Sequence, residues 1–458
     1  MAQYRTENPA TGEVEKEFDA LSDQDAGKAV DRSQAAFERW RSSSVQERAD
    51  ILRKTADQFE RRTESMAQLI AREMGKPLEQ GRAEIGICVG IFRYYADNAE
   101  GLLAPQELDP QGARSSVVEK MPLGVLVGVM PWNFPYYQVA RFAAPNILLG
   151  NTMLLKPAGI CAASCLVIDE ILTAAGLPED VFQPFFADPD QIQTALEDPR
   201  VRGVSLTGSE AAGAKVAEGA GRNLKKSLLE LGGSDPMIVL DGDIEAIANT
   251  AATARLSNAG QACNSPKRMI VLEEHYERFL DVLVDAVKAA TVGNPLDEET
   301  DMGPLSSTGA RETLVELLED ATSKGVTVHT GGSAQDGPGA FMEPTVLTGV
   351  TREMRAFEEE LFGPVAVVYS VKDVEEAIEL ANDTPFGLSG SVWSADPEKA
   401  AEVARRIDAG MVYVNEHGTT KAGLPFGGVK RSGYGRELAE QGVREFVNER
   451  LVRVADAL

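Results

Sequence analysis

The chain has 458 residues, of which 43% are hydrophobic and 25% are charged, as in a globular protein too long for a single simple core. Its formal net charge of −26 excludes nucleic acid and anionic membranes as expected partners. It contains no apolar run of the ~20 residues that a membrane span requires. Its N-terminus lacks the order of a secretory signal, so we expect a cytoplasmic protein.

The acidic residues are dispersed along the chain rather than gathered in a tail. We interpret them as a surface adapted to high salt, as in halophilic proteins; an ordinary acidic mesophilic enzyme is the alternative. Four cysteines in a chain of this length argue against a disulfide scaffold. Cys161 and Cys165 lack a second Cys or His pair at metal-ligand spacing, so we expect buried thiols and no metal site.

Residues 22–102 show a helical pattern, which Ser22 and Asp23 open and Gly75–Pro77 interrupts before a long amphipathic stretch over 78–101. Residues 115–130 are rich in valine and leucine, with turn residues at Pro122 and Gly124. This segment predicts a hairpin that leads into a buried strand.

Short apolar runs then alternate with helical segments, which predicts a parallel sheet covered on both faces. Five such strands, at 125–130, 152–155, 181–186, 203–206 and 227–231, indicate a doubly wound nucleotide-binding domain with its ligand at their carboxyl ends. A second α/β series has predicted strands at 237–240, 268–272, 326–329, 365–369, 391–393 and 411–414, and a glycine-rich surface loop at 331–339. The end of the chain, with a strand-like run at 451–454, is expected to pair with another subunit.

The chemistry is concentrated in two runs that supply a thiol and a separate carboxylate. Cys263 follows Asn258-Ala-Gly-Gln-Ala, and Glu230 lies in a Leu-Leu-Glu-Leu-Gly-Gly run. None of the three histidines lies within ten residues of Cys263, so a glutamate is the more plausible proton carrier. Attack by cysteine followed by glutamate-driven hydrolysis is one way to oxidise an aldehyde to an acid.

A helix start after residue 206 provides a weaker signal. The run Thr207-Gly208-Ser209 would offer free backbone N–H groups to a pyrophosphate, but Ser209 as a plain helix N-cap explains it equally well.

Taken together, these runs resemble the aldehyde dehydrogenase superfamily over nearly the whole chain. Eight motifs stand in family order: NPATGE (8–13), MPWNFP (130–135), LKP (155–157), LTGS (206–209), LELGG (229–233), GQAC (260–263), EELFGP (359–364) and PFGG (425–428). The resemblance implies an α/β fold with three parts. These are a Rossmann-type NAD(P)-binding domain (1–103 and 123–232), a catalytic domain (233–432), and an oligomerisation hairpin with a C-terminal arm (104–122 and 433–458).

The resemblance also implies the roles of single residues. Cys263 would attack the carbonyl carbon as a thiolate, and the Asn133 amide with the Cys263 backbone N–H would hold the oxyanion. Glu230 would activate the water that hydrolyses the thioester. The implied cofactor residues are Trp132, Lys156, Ser209, Glu360 and Phe362.

The cofactor is expected to be NAD or NADP. Many NAD-preferring members of the superfamily carry a glutamate three residues after the lysine, where this chain has Gly159. With no carboxylate to repel a 2′-phosphate, we expect NADP to be accepted as well as NAD.

The runs at 133–141 and 231–237 look most like those of succinate-semialdehyde dehydrogenases, in which an arginine eight residues past the asparagine holds the far carboxylate of the substrate. Arg141 matches it, although a structural ion pair is an open alternative. The second arginine of that group is replaced by Ser257, and Arg255 is expected to face elsewhere. A small uncharged aldehyde, such as lactaldehyde or glycolaldehyde, therefore stays open as substrate.

Two other classes remain as rivals: a CoA-acylating dehydrogenase and a non-catalytic scaffold. Glu230 argues against the first, because a hydrolytic base would waste the thioester. The joint presence of thiol, amide and carboxylate argues against the second. We expect a homodimer or homotetramer whose partner is a small aldehyde, with no nucleic acid and no membrane.

Overall fold

The computed structural model describes residues 4–456. The first three and last two residues, assigned above to the cofactor domain and the C-terminal arm, lie outside this range. The α-helices span Asp23–Trp40, Val45–Arg61, Thr63–Met74, Leu78–Asp97, Ala99–Leu103, Tyr137–Leu149, Ala162–Ala175, Pro189–Glu197, Glu210–Arg222, Ile244–Leu256, Glu273–Ala289, Thr308–Ser323, Arg355–Glu358, Val374–Asn382, Pro397–Ala404 and Ala439–Glu445.

The helical N-terminal region begins where the sequence predicts. Ser22 caps the first helix by accepting a hydrogen bond from the Asp25 backbone N–H, which satisfies one of the free donors of the first turn. Gly75 ends the third helix with a φ of 83°, a left-handed conformation that favours glycine. The predicted long helix stops at Asp97, and a short helix follows it directly.

The first large sheet carries the predicted parallel strands. Its order is Gly433–Tyr434, Lys226–Glu230, Val201–Thr207, Val125–Val129, Thr152–Lys156 and Phe182–Pro184. All neighbours are parallel except the first pair, in which the edge strand from the chain's end runs antiparallel. Helices cover both faces, which explains why Val125–Val129 is almost continuously apolar.

The second large sheet has seven strands. Their order is Thr327–Thr330, Thr345–Thr348, Val365–Val371, Pro266–Leu272, Asp235–Val239, Ser389–Trp393 and Met411–Val414. Thr345–Thr348 was not predicted, and it pairs antiparallel with Thr327–Thr330. The α/β prediction is confirmed for both large sheets.

The described residues also form two smaller sheets. Tyr4–Glu7 pairs with Val14–Phe18, and a three-stranded sheet has the order Val447–Val454, Ser115–Pro122 and Gln106–Glu107. No helix within residues 4–456 is both long and apolar enough to cross a membrane.

The hairpin predicted over residues 115–130 is wrong in its pairing. Ser115–Pro122 pairs with Val447–Val454 over eight residue pairs, whereas Val125–Val129 lies in the six-stranded sheet. The turn at 122–124 therefore passes the chain from one sheet to another. Ser115–Pro122 is mostly half-buried, so it suits a small sheet open to solvent on one face, whereas Val125–Val129 is almost wholly buried.

Candidate active site

The carboxyl ends of the parallel strands in the six-stranded sheet meet the other large sheet around one cleft. A cavity of about 300 Å³ there is lined by Pro131, Trp132, Asn133, Thr207, Gly208, Ser209, Leu231, Gly232, Cys263, Glu360 and Phe362. Six of the nine site residues predicted from sequence line it. Glu230 ends the strand beside it, while Lys156 and Arg141 lie outside its lining.

The loop before Cys263 is held in an uncommon backbone conformation. Asn258, Ala259 and Gly260 have φ values of 53°, 52° and 73°, the left-handed region that a residue such as alanine rarely adopts. The Asn258 side chain stabilises the turn by donating to the Asn133 carbonyl at 2.8 Å and to the Gln261 carbonyl at 3.2 Å. The strain is held by surrounding contacts, as is usual for backbone outliers at functional sites.

Gly260 is required in this loop for a second reason. A β-carbon there would collide with the backbone carbonyl of Gly363, so the nucleophile loop packs directly against the loop that carries Glu360 and Phe362. This close approach is what brings the thiol and the predicted cofactor residues into one cavity.

Cys263 is partly exposed, whereas Cys88, Cys161 and Cys165 are buried. Burial raises the pKa of the Cys263 thiol, against the lowering effect of Lys267 and Arg141. The thiolate is the form that attacks a carbonyl, so the positive charges near Cys263 favour the reaction.

Asn133 lies where an oxyanion donor is needed. Its Nδ2 donates to the Gln261 carbonyl at 3.1 Å, which uses one of the two amide N–H groups and leaves the other for a ligand. Its side chain is buried and lines the cavity together with Cys263.

A buried ion pair anchors the turn that carries Asn133. Lys76 and Glu84 are paired and almost fully buried. Lys76 Nζ donates to the Asn133 carbonyl at 2.9 Å, and Glu84 Oε1 accepts from the Tyr136 and Tyr137 backbone N–H groups at 2.8 and 3.0 Å. The pair therefore holds the turn that carries Asn133 in place at both ends.

Glu230 is 1% exposed, and neither of its carboxylate oxygens has a hydrogen-bond partner among the described residues. Burial raises its pKa well above the usual range; Arg141 opposes this rise and Glu437 adds to it. A carboxyl group with a raised pKa is suited to accept a proton near neutral pH.

The predicted cofactor residues are arranged around the cavity or beside it. The rings of Trp132 and Phe362 meet edge to face with centroids 5.7 Å apart. Ser209 caps the helix Glu210–Arg222 by accepting from the Ala212 N–H at 3.3 Å, so it stands at a helix N-terminus suited to phosphate. Lys156 is the last residue of the strand Thr152–Lys156, and burial lowers the pKa of its side chain.

Arg141 is almost fully buried and engaged with protein groups. It forms an ion pair with Glu437 and donates to the Tyr137 hydroxyl at 3.1 Å and to Thr207 Oγ1 at 3.2 Å. Burial raises the pKa of Glu437 to about 7, although Arg141 opposes it. The structural ion pair that sequence left open is therefore present.

Arg255 is directed away from the cavity, as expected. Its guanidinium donates to the carbonyls of Val365, Gly260 and Leu361 at 2.7, 3.0 and 2.7 Å, which leaves it joining loops rather than reaching a ligand.

The sequence matches a family model described as the aldehyde dehydrogenase family over residues 2–452. The chain belongs to the aldehyde dehydrogenase family. The resemblance seen in the eight motifs, the fold class and the assignment as an oxidoreductase acting on aldehydes are confirmed.

Similar aldehyde dehydrogenases cover nearly the whole chain. A succinate-semialdehyde dehydrogenase [NADP(+)] of Deinococcus radiodurans is 47% identical over 452 residues, 98% of this chain and 94% of the relative. An enzyme of the same description from Mycobacterium avium is 43% identical over 456 residues, 99% of this chain and 97% of the relative. The crystal structure of the Streptococcus pyogenes succinic semialdehyde dehydrogenase in complex with NADP⁺ superposes with a TM-score of 0.97 at 40% identity, covering 99% of this chain and 100% of that one.

Three charged residues beside this aldehyde dehydrogenase site were not predicted. Besides Lys76 and Glu84, Lys267 is buried with its Nζ 2.8 Å from the Cys263 carbonyl oxygen. A signal was present, since Lys76 lies in the Gly-Lys-Pro helix break and Lys267 follows the nucleophile by four residues. Sequence alone does not reveal that these charges are buried.

Proposed function

We propose that this enzyme oxidises succinate semialdehyde to succinate with NADP or NAD. The observation that carries the proposal is the single cavity that joins Cys263, Asn133 and Glu360, with the Glu230 carboxyl buried beside it. The choice of substrate is supported by the descriptions of the Deinococcus, Mycobacterium and Streptococcus relatives.

The first half of the reaction forms a covalent bond at Cys263. Once the thiol proton has passed to solvent water, the sulfur attacks the aldehyde carbon as a thiolate, and the free N–H of Asn133 with the Cys263 backbone N–H binds the oxyanion. Removing one such donor typically raises the barrier by about 3–4 kcal/mol. Bound NAD(P) would supply the acceptor for the hydride that leaves the carbonyl carbon as the oxyanion collapses to a thioester.

The second half releases the acid. Glu230 takes a proton from a water molecule that attacks the thioester carbon, and the Cys263 thiolate leaves. The proton then held by Glu230 returns to solvent. A carboxyl with no hydrogen-bond partner among the described residues has its oxygens free to orient that water.

The residues around the cavity fit a nicotinamide dinucleotide. Glu360 lines the cavity and is paired with Lys267 through Oε1, and its carboxylate keeps acceptor capacity for ribose hydroxyls. Trp132 and Phe362 provide apolar walls, and the helix capped by Ser209 offers N–H groups to a pyrophosphate. Lys156 would contact the adenine ribose.

Acceptance of NADP follows from Gly159. This residue begins the short helix Gly159–Cys161, three residues past Lys156, and carries no side chain to repel a 2′-phosphate. The named relatives are described as NADP(+) enzymes or bind NADP⁺.

Arg141 is the proposed partner of the substrate's far carboxylate. Its guanidinium has five N–H groups, and three of them are engaged by Tyr137, Thr207 and Glu437. The Glu437 charge weakens the attraction that remains. This engagement is the specific observation that favours the alternative substrate class, a small uncharged aldehyde such as lactaldehyde or glycolaldehyde.

We keep the domain division expected from sequence, with one adjustment: Gly433–Tyr434 is assigned to the cofactor domain, because it pairs with Lys226–Glu230.

The exposed side chains of Leu451 and Val454 on the edge strand Val447–Val454 support a homodimer or homotetramer. Light scattering coupled to size-exclusion chromatography tests this assembly, and a monomer would refute it.

We place the enzyme in a cytoplasm of high salt, since its mechanism requires a free thiol and NAD(P) and its surface acids are dispersed. Activity and melting temperature should both rise from low to molar KCl. Maximal values of both in low salt would refute salt adaptation.

The decisive experiment is a kcat/KM panel with succinate semialdehyde, butyraldehyde, lactaldehyde and glycolaldehyde, run with NADP⁺ and with NAD⁺. Succinate semialdehyde should give the highest value, and the product should be succinate whether or not CoA is added. Cys263→Ser is the matched control and should abolish turnover. A succinyl-CoA product, or no reduced cofactor with any aldehyde, would overturn the proposal. A thousandfold preference for NAD would refute use of both cofactors.

A further inference from the structure

Lys267 is a buried cation at the start of the strand Pro266–Leu272, four residues beyond the nucleophile. Its side chain is 1% exposed, and its Nζ donates to the Ala262 carbonyl at 2.9 Å and to the Cys263 carbonyl at 2.8 Å. It therefore holds the peptide groups on both sides of Cys263. A lysine is seldom buried unless it is paired, and this one has a charged partner.

That partner is Glu360, whose Oε1 lies 3.0 Å from Lys267 Nζ. The other carboxylate oxygen packs against Gly232, where a β-carbon would stand 2.5 Å from Oε2. Glu360 and Cys263 line the same cavity. One ammonium group thus connects the nucleophile loop and a carboxylate of the cofactor pocket.

The charges around the thiol make this ammonium group important. Lys267 and Arg141 lower the pKa of Cys263, while Glu360 and Glu230 raise it. Arg141 is already paired with Glu437. Asp235 also faces Lys267, and burial raises the pKa of Asp235 to about 7.

We propose that Lys267 is a positioning residue of the reaction, which fixes Glu360 toward the cavity and supplies the positive charge that favours the ionised form of Cys263. The inference rests on the proposed function, in which Cys263 is the nucleophile and Glu360 contacts the nicotinamide ribose. It adds a residue for which the motifs of the chain give no role.

The test measures the pH dependence of Cys263 alkylation by iodoacetamide, quantified by mass spectrometry of the peptide that contains it. The assay needs no aldehyde. Lys267→Met should move the midpoint to higher pH by about one unit, which is roughly a tenfold slower reaction at neutral pH. Lys267→Arg, which keeps the charge, should restore most of the shift.

Two further variants make the result specific. Glu360→Gln removes a negative charge and should move the midpoint to lower pH, a direction that a loss of packing does not produce. Arg268→Met is the matched control: this neighbouring buried cation donates to the carbonyls of Ser234, Leu380 and Ala381, so its loss should not move the midpoint.

The binding of NADPH, followed by its fluorescence, provides the second measurement. Lys267→Met should weaken binding about tenfold, because Glu360 loses the charge that holds it. An unchanged alkylation midpoint in folded Lys267→Met would overturn the inference. If that variant does not fold, an unchanged or upward midpoint in Glu360→Gln would overturn it. If the variants show these shifts but the wild-type enzyme oxidises no aldehyde, the proposed function is refuted and the electrostatic role of Lys267 stands.

Discussion

The Arg141–Glu437 pair allows a quantitative test of a buried charge beside the site. Arg141 is 1% and Glu437 3% exposed, and Phe426 covers the guanidinium with its ring centroid 4.5 Å away. Arg141→Met would leave the Glu437 carboxylate without its cation in a site that water does not reach. Breaking a buried pair from one side costs about 3–5 kcal/mol. We expect a loss of that size in the free energy of unfolding, measured by guanidinium denaturation.

The double variant Arg141→Met/Glu437→Gln separates charge from packing. It removes both charges and should recover most of the loss, because a neutral amide needs no cation. A loss under about 1 kcal/mol in the single variant, or no recovery in the double variant, would show that the pair contributes little and would refute this reasoning.

Kinetics of the same variant test the substrate role. If the remaining N–H groups of Arg141 bind a carboxylate, Arg141→Met should lower kcat/KM for succinate semialdehyde at least tenfold more than for butyraldehyde, about 1.4 kcal/mol of transition-state binding. Equal losses on both aldehydes would retire the carboxylate role and leave the ion pair alone.

Four other outcomes are expected. Glu230→Gln should keep a first-turnover burst of NADPH but lower the steady-state rate by about a hundredfold or more, and a normal steady state would contradict its role as base. Gly159→Glu should raise KM for NADP⁺ at least tenfold and leave NAD⁺ nearly unchanged, since the added carboxylate would face the 2′-phosphate; equal effects on both cofactors would contradict this. Glu84→Gln should lower kcat about tenfold with little change in KM, because the turn that presents Asn133 loses its anchor; an unchanged kcat in folded protein would contradict it. Burial raises the pKa of Glu73 from 4.5 to about 7, so its contribution to the free energy of unfolding is full below pH 4.5 and falls by up to about 3 kcal/mol as pH rises through 7. Glu73→Gln should therefore make the free energy of unfolding depend less on pH. Parallel pH curves for the variant and the wild type would refute this.

The parts of the molecule that sequence predicted share a local cause. Strand and helix alternation around the six-stranded sheet is encoded by short apolar runs between helical segments, so Val125–Val129 and Thr152–Lys156 were found within a residue. The cavity residues were also predictable, because each lies in one of the eight motifs, and those at 131–133, 207–209 and 231–232 lie at the carboxyl ends of parallel strands. Parallel topology then brings those ends to one edge.

The parts that were missed depend on contacts between distant segments. The pairing of Ser115–Pro122 with Val447–Val454 joins residues more than three hundred positions apart, whereas the sequence suggested a local turn. The buried charges of Lys76, Glu84 and Lys267 were missed for the same reason. Lysine and glutamate are usually solvated, and only the fold shows which ones are not.

The late position of two strands has a consequence for how the protein is made. Gly433–Tyr434 pairs with the strand Lys226–Glu230 and completes one edge of the six-stranded sheet. Val447–Val454 completes the small sheet whose first strand is Gln106–Glu107. The edge of the six-stranded sheet therefore stays open while the roughly two hundred residues between Glu230 and Gly433 are made, which at 5–20 residues per second takes about 10–40 s. The nascent polypeptide exposes an unfinished sheet edge for that period, and a chain that ended before Val447 would keep an open edge in the small sheet permanently.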